Sequence, residues 1–551
     1  WLHLCCRGSK KRKGRTSNSK LQVKKTILDD MKFNLTTLVF LVVSLEAVVG
    51  RHNGTGPTGP VLPWRTRDHL CLDHNSMHKN CTQEEVDGGL CNLNGCIHKP
   101  LFSPFLSLDA VGGIAIMIGC IFAVAGGIGG GGLFVPLLIL VESFDVHEAV
   151  PLSKAMILAA AIVSFTSNVR KRNPHADRPL IDLDCAIFLV PMTLAGTVPG
   201  TILNVVFPTW LIGLLLIIVL GATTYRTVQK GVKTLKKERA DAAHMKAKAT
   251  SIYASESGDS VELIGAEEAV LDGDEVDDEE EVEGSADVDE EKTEDIITAE
   301  DEANRKLIES IQANERKFSL KKFFAMWGIW AVLGVSAIIR GGHGFSMLGI
   351  DPCSDNGWVF YTFAVLPVLF CTIVCMLYGR YLANRYELKQ KIGYPFADGD
   401  FKWTRRSTLV YPWVAMVGGI FAGLLGIGGG MVIGPILLEL GGHPQVSSAV
   451  SAFTILFTAS ATTFQFLLLG VLEYDYALYY SIICAIAAVI GQKAVGAIIK
   501  KYKKVSIIVF CLAGVMGVSS VLIGGIDIFQ TIDDLNKNRS MGFQAQKLCM
   551  H

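Results

Sequence analysis

Residues 126–140 read GGIGGGGLFVPLLIL, a cluster of glycines followed by a short apolar stretch, and an apolar segment at about 108–125 leads into them. The stretch 133–141, about ten residues, would form a helix of roughly 15 Å, which is half of the roughly 30 Å hydrocarbon core of a bilayer. We therefore expect a re-entrant or broken element whose glycine loop lies inside the membrane. Irregular backbone at that depth has to be buried in protein or line a cavity.

The same pattern occurs a second time, in the C-terminal half of the chain. Gly-Ile-Gly-Gly-Gly at 127–131 matches 426–430 at an offset of 299 residues, and a second short apolar stretch follows it. At an offset of 298, SKAMIL at 153–158 aligns with SAFTIL at 451–456. The two matches together predict a duplicated supersecondary unit rather than a chance cluster of glycines.

Apolar runs long enough to cross a bilayer recur along the rest of the chain. No ordinary aqueous fold could bury so many uninterrupted apolar helices, which excludes a soluble enzyme. The predicted fold class is therefore an all-α polytopic membrane protein with Gly-interrupted short helices. Besides the two glycine-rich units at 108–141 and 409–440, we predict spanning helices at about 148–169, 184–206, 209–228, 323–340, 358–378, 446–470, 475–497 and 505–525.

Lysine and arginine residues of the short loops predict the orientation of these helices. If residue 105 lies outside and each glycine-rich unit returns to the side it entered from, every basic cluster lies inside, and only Arg340 falls at an outer end. Five crossings then separate the two units, and an odd number makes the repeats inverted. Inverted repeats with interrupted segments at matching positions are typical of secondary transporters. The basic clusters are 170–178, 226–239, 316–322, 380–406 and 500–504.

The net charge of −2 conceals a strongly acidic stretch. Residues 256–302 contain 23 acidic side chains and one basic side chain, so the rest of the chain carries 30 acids and 50 bases. High charge of one sign with few aromatic residues cannot support a packed core. We predict that residues 231–320 form a disordered cytoplasmic loop.

The amino-terminal region has the features of a secreted segment. Residues 31–50 resemble a signal peptide behind a basic segment, with an uncleaved anchor as the rival interpretation. Residues 51–105 then lie in the lumen or outside the cell, where clustered cysteines favour two disulfides over a zinc site, because no paired C-x-x-C spacing is present. The disulfide candidates are Cys71, Cys81, Cys91 and Cys96, and the glycosylation candidates are Asn53 and Asn80.

The glycine loops and one lysine are the candidates for chemistry. Glycines leave backbone N–H groups uncovered, and the helix start that follows adds its positive dipole end, so these loops suit an anion. Close helix packing by small residues is the alternative. Lys154 is a functional candidate because it lies within a predicted span, although it could instead extend to the nearby interface. The dinucleotide and P-loop motifs are excluded, because no βαβ unit surrounds residues 127–132 and no GK[ST] follows them.

At these residues the chain resembles the TauE/SafE family of sulfite exporters and sulfonate permeases, and most closely its eukaryotic members. The matching text is GGIGGGGLFVPLLIL, AVPLSKAMILAAA at 149–161 and GLLGIGGGMVIGPILLELGGHPQVSSAVSAFTILFTAS at 423–460, within a resemblance over roughly 108–230 and 323–525. It implies transport of small sulfur-containing or organic anions, such as sulfite, sulfonates or thiosulfate, coupled to a gradient of H⁺ or Na⁺. On that basis the substrate-binding candidates are Gly129, Gly130, Gly131, Ser153, Lys154, Gly428, Gly429, Gly430, Ser451 and Thr454.

The leading hypothesis is a secondary anion transporter, integral to the plasma membrane or an endomembrane, which alternates access between two inverted halves. A receptor or scaffold with a lumenal disulfide module is one alternative, and an anion channel is another. An enzyme is disfavoured, because the chain has no HExxH or GxSxG motif. We expect no cofactor, no metal and no nucleic-acid partner, and the oligomeric state is left open. The predicted domains are a basic segment with the signal peptide (1–50), the Cys-rich segment (51–105), the first repeat (106–230), the acidic loop (231–320), two connecting helices with a basic loop (321–408), the second repeat (409–525) and a tail (526–551).

Overall fold

A computed structural model describes the chain at residues 78–80, 96–98, 101, 107–125, 131–142, 144–173, 176–257, 290–341, 357–397 and 399–502, and at scattered positions between 510 and 532. The regular structure over these residues is helical, apart from one small antiparallel pair of strands, β1 (His78–Asn80) and β2 (Cys96–His98), and an isolated bridge between Arg172 and Pro179. The helices are α1 (Ser107–Ala125), α2 (Gly131–Val141), α3 (Val146–Asn168), α4 (Leu183–Val206), α5 (Thr209–Ser257), α6 (Glu290–Glu315), α7 (Leu320–Arg340), α8 (Gly357–Lys391), α9 (Arg405–Leu425), α10 (Gly430–Glu439), α11 (Pro444–Leu469) and α12 (Tyr474–Tyr502).

Eight of the described helices are long and apolar enough to cross a membrane, namely α3, α4, α5, α7, α8, α9, α11 and α12. The apolar segments of α3, α4 and α11 are mostly buried by neighbouring helices, whereas most residues in those of α5, α7 and α8 are not buried. Large apolar side chains such as Trp358, Ile373 and Leu377 stand on the outer face of α8, where only lipid would shield them from water. The predicted class of all-α polytopic membrane protein is confirmed. The predicted span at 505–525 lies largely outside the described residues.

The two glycine-rich units each contain a short helix. Helix α2 has 11 residues and α10 has 10 residues. Pro136 and Pro435 occupy the sixth position of their helices. Helix α3 starts soon after α2 at a capping box, in which the Asp145 carboxylate accepts from the Val146 N–H while Glu148 accepts from the Asp145 N–H at 3.2 Å. These local signals break the chain into the short and long helices that the patterns predict.

The two halves make corresponding contacts. In order, α1, α2, α3 and α4 of the first half correspond to α9, α10, α11 and α12 of the second. Helix α1 packs against α12 as α9 packs against α4, and α3 packs against α12 as α11 packs against α4. Helices α3 and α11 also contact each other. Such matched contacts are what a duplicated unit would form, while the inverted orientation of the halves stays a prediction.

The crossing of α4 and α9 depends on glycine. Gly196 and Gly200 of α4 face Gly419 and Gly423 of α9. A Cβ added at Gly200 would lie 3.0 Å from the Cα of Gly423, and a Cβ added at Gly423 would lie 2.9 Å from the carbonyl carbon of Gly200. Backbones approach this closely only where side chains are absent, and spaced small residues are a common means of packing membrane helices. The crossing fixes the second half against the first, next to the glycine loop that follows α9.

The acidic region differs in part from the expected disordered loop over 231–320. Helix α5 continues to Ser257, and α6 occupies Glu290–Glu315. The reason lies in the local composition, because residues 232–257 are rich in Ala and Lys and contain neither Gly nor Pro. The prediction was therefore wrong at both ends of the loop, where helix-forming residues extend beyond the acidic block. The remaining domain boundaries stay predictions.

Candidate functional site

The second glycine loop is a buried, irregular segment between two helices. Helix α9 ends at Leu425, and Gly426 has a φ of 71°, in the left-handed region that favours glycine. Residues 426–430 are all buried. Helix α10 then starts at Gly430, and no side chain caps its N-terminus. A buried helix start without a capping side chain leaves N–H groups and a positive dipole end directed into the site, which together favour a negatively charged partner.

Two side chains of α3 reach this loop from the other half of the protein. The Ser153 hydroxyl donates to the Gly426 carbonyl at 3.2 Å as well as to Val150 of its own helix at 2.7 Å. The Lys154 ammonium donates to the Ile427 carbonyl at 2.7 Å, and the residue is only 1% exposed. Lys154 therefore does not extend to an interface, as one interpretation of the sequence proposed. No carboxylate forms an ion pair with it among the residues that the structure describes.

The first glycine-rich unit meets the second at Gly131. A Cβ on Gly131 would lie 2.8 Å from both the Cα and the carbonyl carbon of Ile427, and closer still to the Gly428 nitrogen. The start of α2 thus packs directly against the loop between α9 and α10. Because Lys154 binds the same Ile427, the lysine, the start of α2 and the second loop form one small cluster at the junction of the two halves.

Hydroxyl groups of α11 border the opposite side of the loop. Ser451 donates to the Gly430 carbonyl at 3.0 Å, and Thr458 lies 3.5 Å from where a Cβ on Gly429 would stand. The hydroxyl of Thr454, between them on the same helix face, donates to the carbonyl of Val450 at 3.0 Å. All three residues are buried. An arriving anion would find these hydroxyls beside the loop, and each could rotate to donate to it.

The structure brings together seven of the ten proposed substrate-binding residues directly around the second loop, and Thr454 lies nearby on α11. Gly129 and Gly130 lie outside the described residues, as do Cys71, Cys81, Cys91 and Asn53. Cys96 and Asn80 are described only as backbone in β2 and β1, where they pair with each other in register. The predicted disulfides and glycosylation therefore stay predictions. The seven residues at the loop are Gly131, Ser153, Lys154, Gly428, Gly429, Gly430 and Ser451.

Several polar residues near the site were not among the sequence candidates. Gln465 of α11 accepts from the Thr201 hydroxyl at 2.7 Å and donates to the Thr197 hydroxyl at 3.3 Å. Asn204 donates to the Leu424 carbonyl at 2.8 Å, two residues before the loop. The spacing of hydroxyl residues by three or four could have revealed this polar seam along α4 and α11, since it places them on one helix face. The hydroxyl residues are Thr193, Thr197 and Thr201 on α4 and Ser447, Ser451, Thr454, Thr458 and Thr462 on α11.

A separate network of ion pairs lies at the predicted cytoplasmic ends of the helices. Asp184 at the start of α4 accepts from Lys322 and, at 3.2 Å, from Arg385, which also donates to Glu315 at 2.9 Å. Tyr394 donates to Glu315 at 3.0 Å, and burial together with the Glu315 charge raises the pKa of Tyr394 to about 12. The four charged residues of the network, Asp184, Glu315, Lys322 and Arg385, line a cavity of about 450 Å³. The network connects α4 to α6, α7 and α8 and is remote in sequence from the glycine loops.

The fold and the buried polar cluster define a multi-pass integral membrane protein whose two corresponding halves meet at an anion-compatible loop. Comparison with known proteins places it further: the family model described as Sulfite exporter TauE/SafE matches residues 111–255 and 317–519. The chain belongs to this family, whose members are membrane transporters rather than enzymes.

Curated relatives support the assignment over most of the chain. Sulfite exporter TauE/SafE family protein 3 of Arabidopsis thaliana is 30% identical over 441 residues, which cover 80% of this chain and 83% of the relative. Family protein 2 of the same plant is 29% identical, over 79% of this chain and 86% of the relative. No solved structure matches the chain. The predicted resemblance to the eukaryotic branch of the family is confirmed.

Proposed function

We propose that this protein is a secondary transporter of small oxyanions, of the sulfite or organosulfonate type, which binds its substrate at the second glycine loop. The observation that carries the proposal is the Lys154 ammonium, buried and bonded to the Ile427 carbonyl. Burying an ammonium without a carboxylate beside it costs roughly several kcal/mol of folding free energy. An anionic substrate would offset this cost, which gives the position a functional reason.

The geometry supplies three kinds of group to such an anion. An ammonium has three N–H donors, and Lys154 uses one of them on Ile427, so two remain for substrate oxygens. Ser451 and Thr458 offer hydroxyls, and the uncapped start of α10 offers backbone N–H groups. Charge-assisted hydrogen bonds are about twice as strong as neutral ones, so the ammonium is expected to contribute most to anion affinity.

The position of the site between the halves fits alternating access. Lys154 and Ser153 belong to the first half, while Ile427 and Ser451 belong to the second, and α3 and α11 pack against each other beside them. Rocking of one half against the other would open the site first to one side of the membrane and then to the other. A coupling gradient of H⁺ or Na⁺ is part of the proposal, and so is the choice among sulfur oxyanions.

The test is flux into proteoliposomes that contain the purified protein. Labelled sulfite, thiosulfate and a taurine-type sulfonate are compared with acetate, each under a pH gradient, a Na⁺ gradient or neither. We expect saturable uptake of at least one sulfur oxyanion, accelerated by unlabelled anion on the other side. Absence of flux for all three, with the protein shown to be folded, would overturn the proposal. Flux that neither saturates nor responds to anion on the far side would instead support a channel.

A further inference from the structure

Arg340, at the last turn of α7, is a buried cation whose surroundings differ from those of the other described arginines. It is only 2% exposed, and the predicted topology places it at the outer end of its helix. Its guanidinium carbon lies 5.4 Å from the centre of the Phe360 ring on α8. One turn earlier, the Ser336 hydroxyl donates to the Phe363 carbonyl at 2.6 Å, which ties α7 to α8 directly beside it. The cation is thus held between two packed helices.

The in-plane donors of this guanidinium are not used within the described residues. Its Nε–H has no acceptor, although the atom is buried, and no described carboxylate forms an ion pair with the side chain. Arg385 shows the contrast, because it pairs with both Asp184 and Glu315. An arginine remains charged at all accessible pH values, so Arg340 cannot avoid the cost of burial by losing its proton.

Two structural roles do not account for the arrangement. A lysine or arginine near the end of a helix often bonds the last carbonyl groups, but here the Gly341 N–H caps the Ala337 carbonyl and the guanidinium makes no hydrogen bond within the described residues. An arginine that extends to the interface would expose its charge, whereas this one is buried. The Phe360 ring attracts the cation from one face only. The Nε–H on the guanidinium edge is left without an acceptor among the described residues.

We propose that Arg340, stacked on Phe360, forms a second anion-binding site at the outer ends of α7 and α8, separate from the glycine loop. Its ligand is an oxyanion that accepts two parallel hydrogen bonds from the guanidinium edge, as sulfonate, sulfate and phosphate groups do. The oxyanion comes either from solution, as an anion at the outer mouth of the protein, or from the phosphate of an outer-leaflet lipid. The site does not depend on the transport proposal, since none of its residues contributes to the cluster around Lys154.

The experiment isolates this site by working in the Lys154→Met background, which removes the charge of the other site. Binding of inorganic sulfate is measured by titration calorimetry at constant ionic strength, on detergent-purified protein with Arg340 intact, with Arg340→Gln or with Arg340→Lys. Arg380→Gln is the matched control, because Arg380 is an exposed arginine on α8. Co-purified phospholipid is quantified by native mass spectrometry in the same samples.

We expect Arg340→Gln to weaken sulfate binding about tenfold or more, the scale of a lost charge-assisted hydrogen bond. Arg340→Lys should recover only part of the affinity, because it keeps the charge and loses the planar fork, and Arg380→Gln should match the parent. Loss of bound phospholipid in Arg340→Gln, with sulfate binding absent throughout, would identify a lipid phosphate as the ligand. Should Arg340→Gln not fold, Arg340→Lys decides by the same two measurements. Unchanged sulfate affinity together with unchanged lipid content overturns the proposal, whatever the flux assay shows.

Discussion

Lys154→Met is the substitution that separates a binding role from a structural one. Methionine has nearly the length of lysine and keeps the apolar stem, but it removes the charge and all three N–H donors. The side chain is 1% exposed and donates to a single described acceptor, the Ile427 carbonyl, at 2.7 Å. The change therefore affects two quantities in opposite directions, namely the affinity for anions and the free energy of unfolding.

The magnitudes follow from the contacts. A hydrogen bond to a charged group contributes about 1.5–3 kcal/mol, so an anion that loses one such bond should show flux reduced roughly 10- to 150-fold at low substrate concentration. For folding, the unpaired Ile427 carbonyl costs about 1 kcal/mol, whereas removing a buried charge returns several kcal/mol. We expect the midpoint of thermal unfolding to stay equal or to rise, while flux is lost.

The assay pairs flux in proteoliposomes with thermal unfolding of the same preparation. Lys493→Met is the control, because Lys493 is exposed near the end of α12 and its removal should leave both quantities unchanged. Normal flux in Lys154→Met would refute the assignment of the lysine to the anion site. A fall in the unfolding midpoint that accompanies the loss of flux would show that Lys154 stabilises the junction of the halves rather than binds substrate.

Three further predictions concern the surroundings of the site. Gly131→Ala should lower the unfolding free energy by about 1–3 kcal/mol, because the added Cβ would meet the backbone of the second glycine loop. Gly221→Ala is the control and should have no such effect, because open space surrounds Gly221. Equal thermal unfolding midpoints for the two variants would contradict the prediction. Asp184→Asn should lower the free energy of unfolding by about 1–2 kcal/mol, and by less at high salt, because it leaves Lys322 and Arg385 without their shared carboxylate. A thermal unfolding midpoint that matches wild type at low salt would count against this prediction. The stability advantage of wild type over Tyr394→Phe should be constant up to about pH 10, the ordinary tyrosine pKa. This advantage should then disappear as the pH rises through the raised Tyr394 pKa of about 12, because the folded state favours the neutral hydroxyl. Denaturation curves that show a constant difference in stability between the two proteins across this pH range would disprove the prediction.

The helices and their breaks could be predicted from local patterns, because hydropathy, glycine and capping residues act over short distances. The short helix α2 begins at Gly131 and α10 at Gly430, within two residues of the expected starts. The extent of α5 and α6 into the acidic region was missed, since the prediction applied the charge argument to residues 232–257, where helix-forming residues dominate. Local propensity is decisive there, because the charged block begins only near the end of α5.

The candidate residues could be named from sequence, but their partners could not. The hydrogen bonds of Ser153 to Gly426 and of Lys154 to Ile427 each span 273 residues, so they depend on how the two halves dock. That docking rests on the glycine crossing of α4 with α9. The four-residue spacing of the glycines marks a packing face within each half, but it does not say which helix packs there. The polar seam could have been predicted from the sequence, because Ser451, Thr454 and Thr458 follow helical spacing. Hydroxyl groups at that spacing, however, also commonly donate hydrogen bonds to carbonyl groups of their own helix, as Thr454 and Thr458 do.

The site combines a duplicated element with one that is not duplicated. Ser153 and Ser451 align between the repeats, and the two hydroxyls bind opposite ends of one loop, at the carbonyls of Gly426 and Gly430. Lys154 aligns with Ala452, so the charge is supplied once, at Ile427 between those ends. A second ammonium within several Å would repel the first strongly in a medium of low dielectric constant. The predicted duplication would account for a loop held by both halves, and divergence after it for a single cation, which is the arrangement that the proposed binding of one small anion requires.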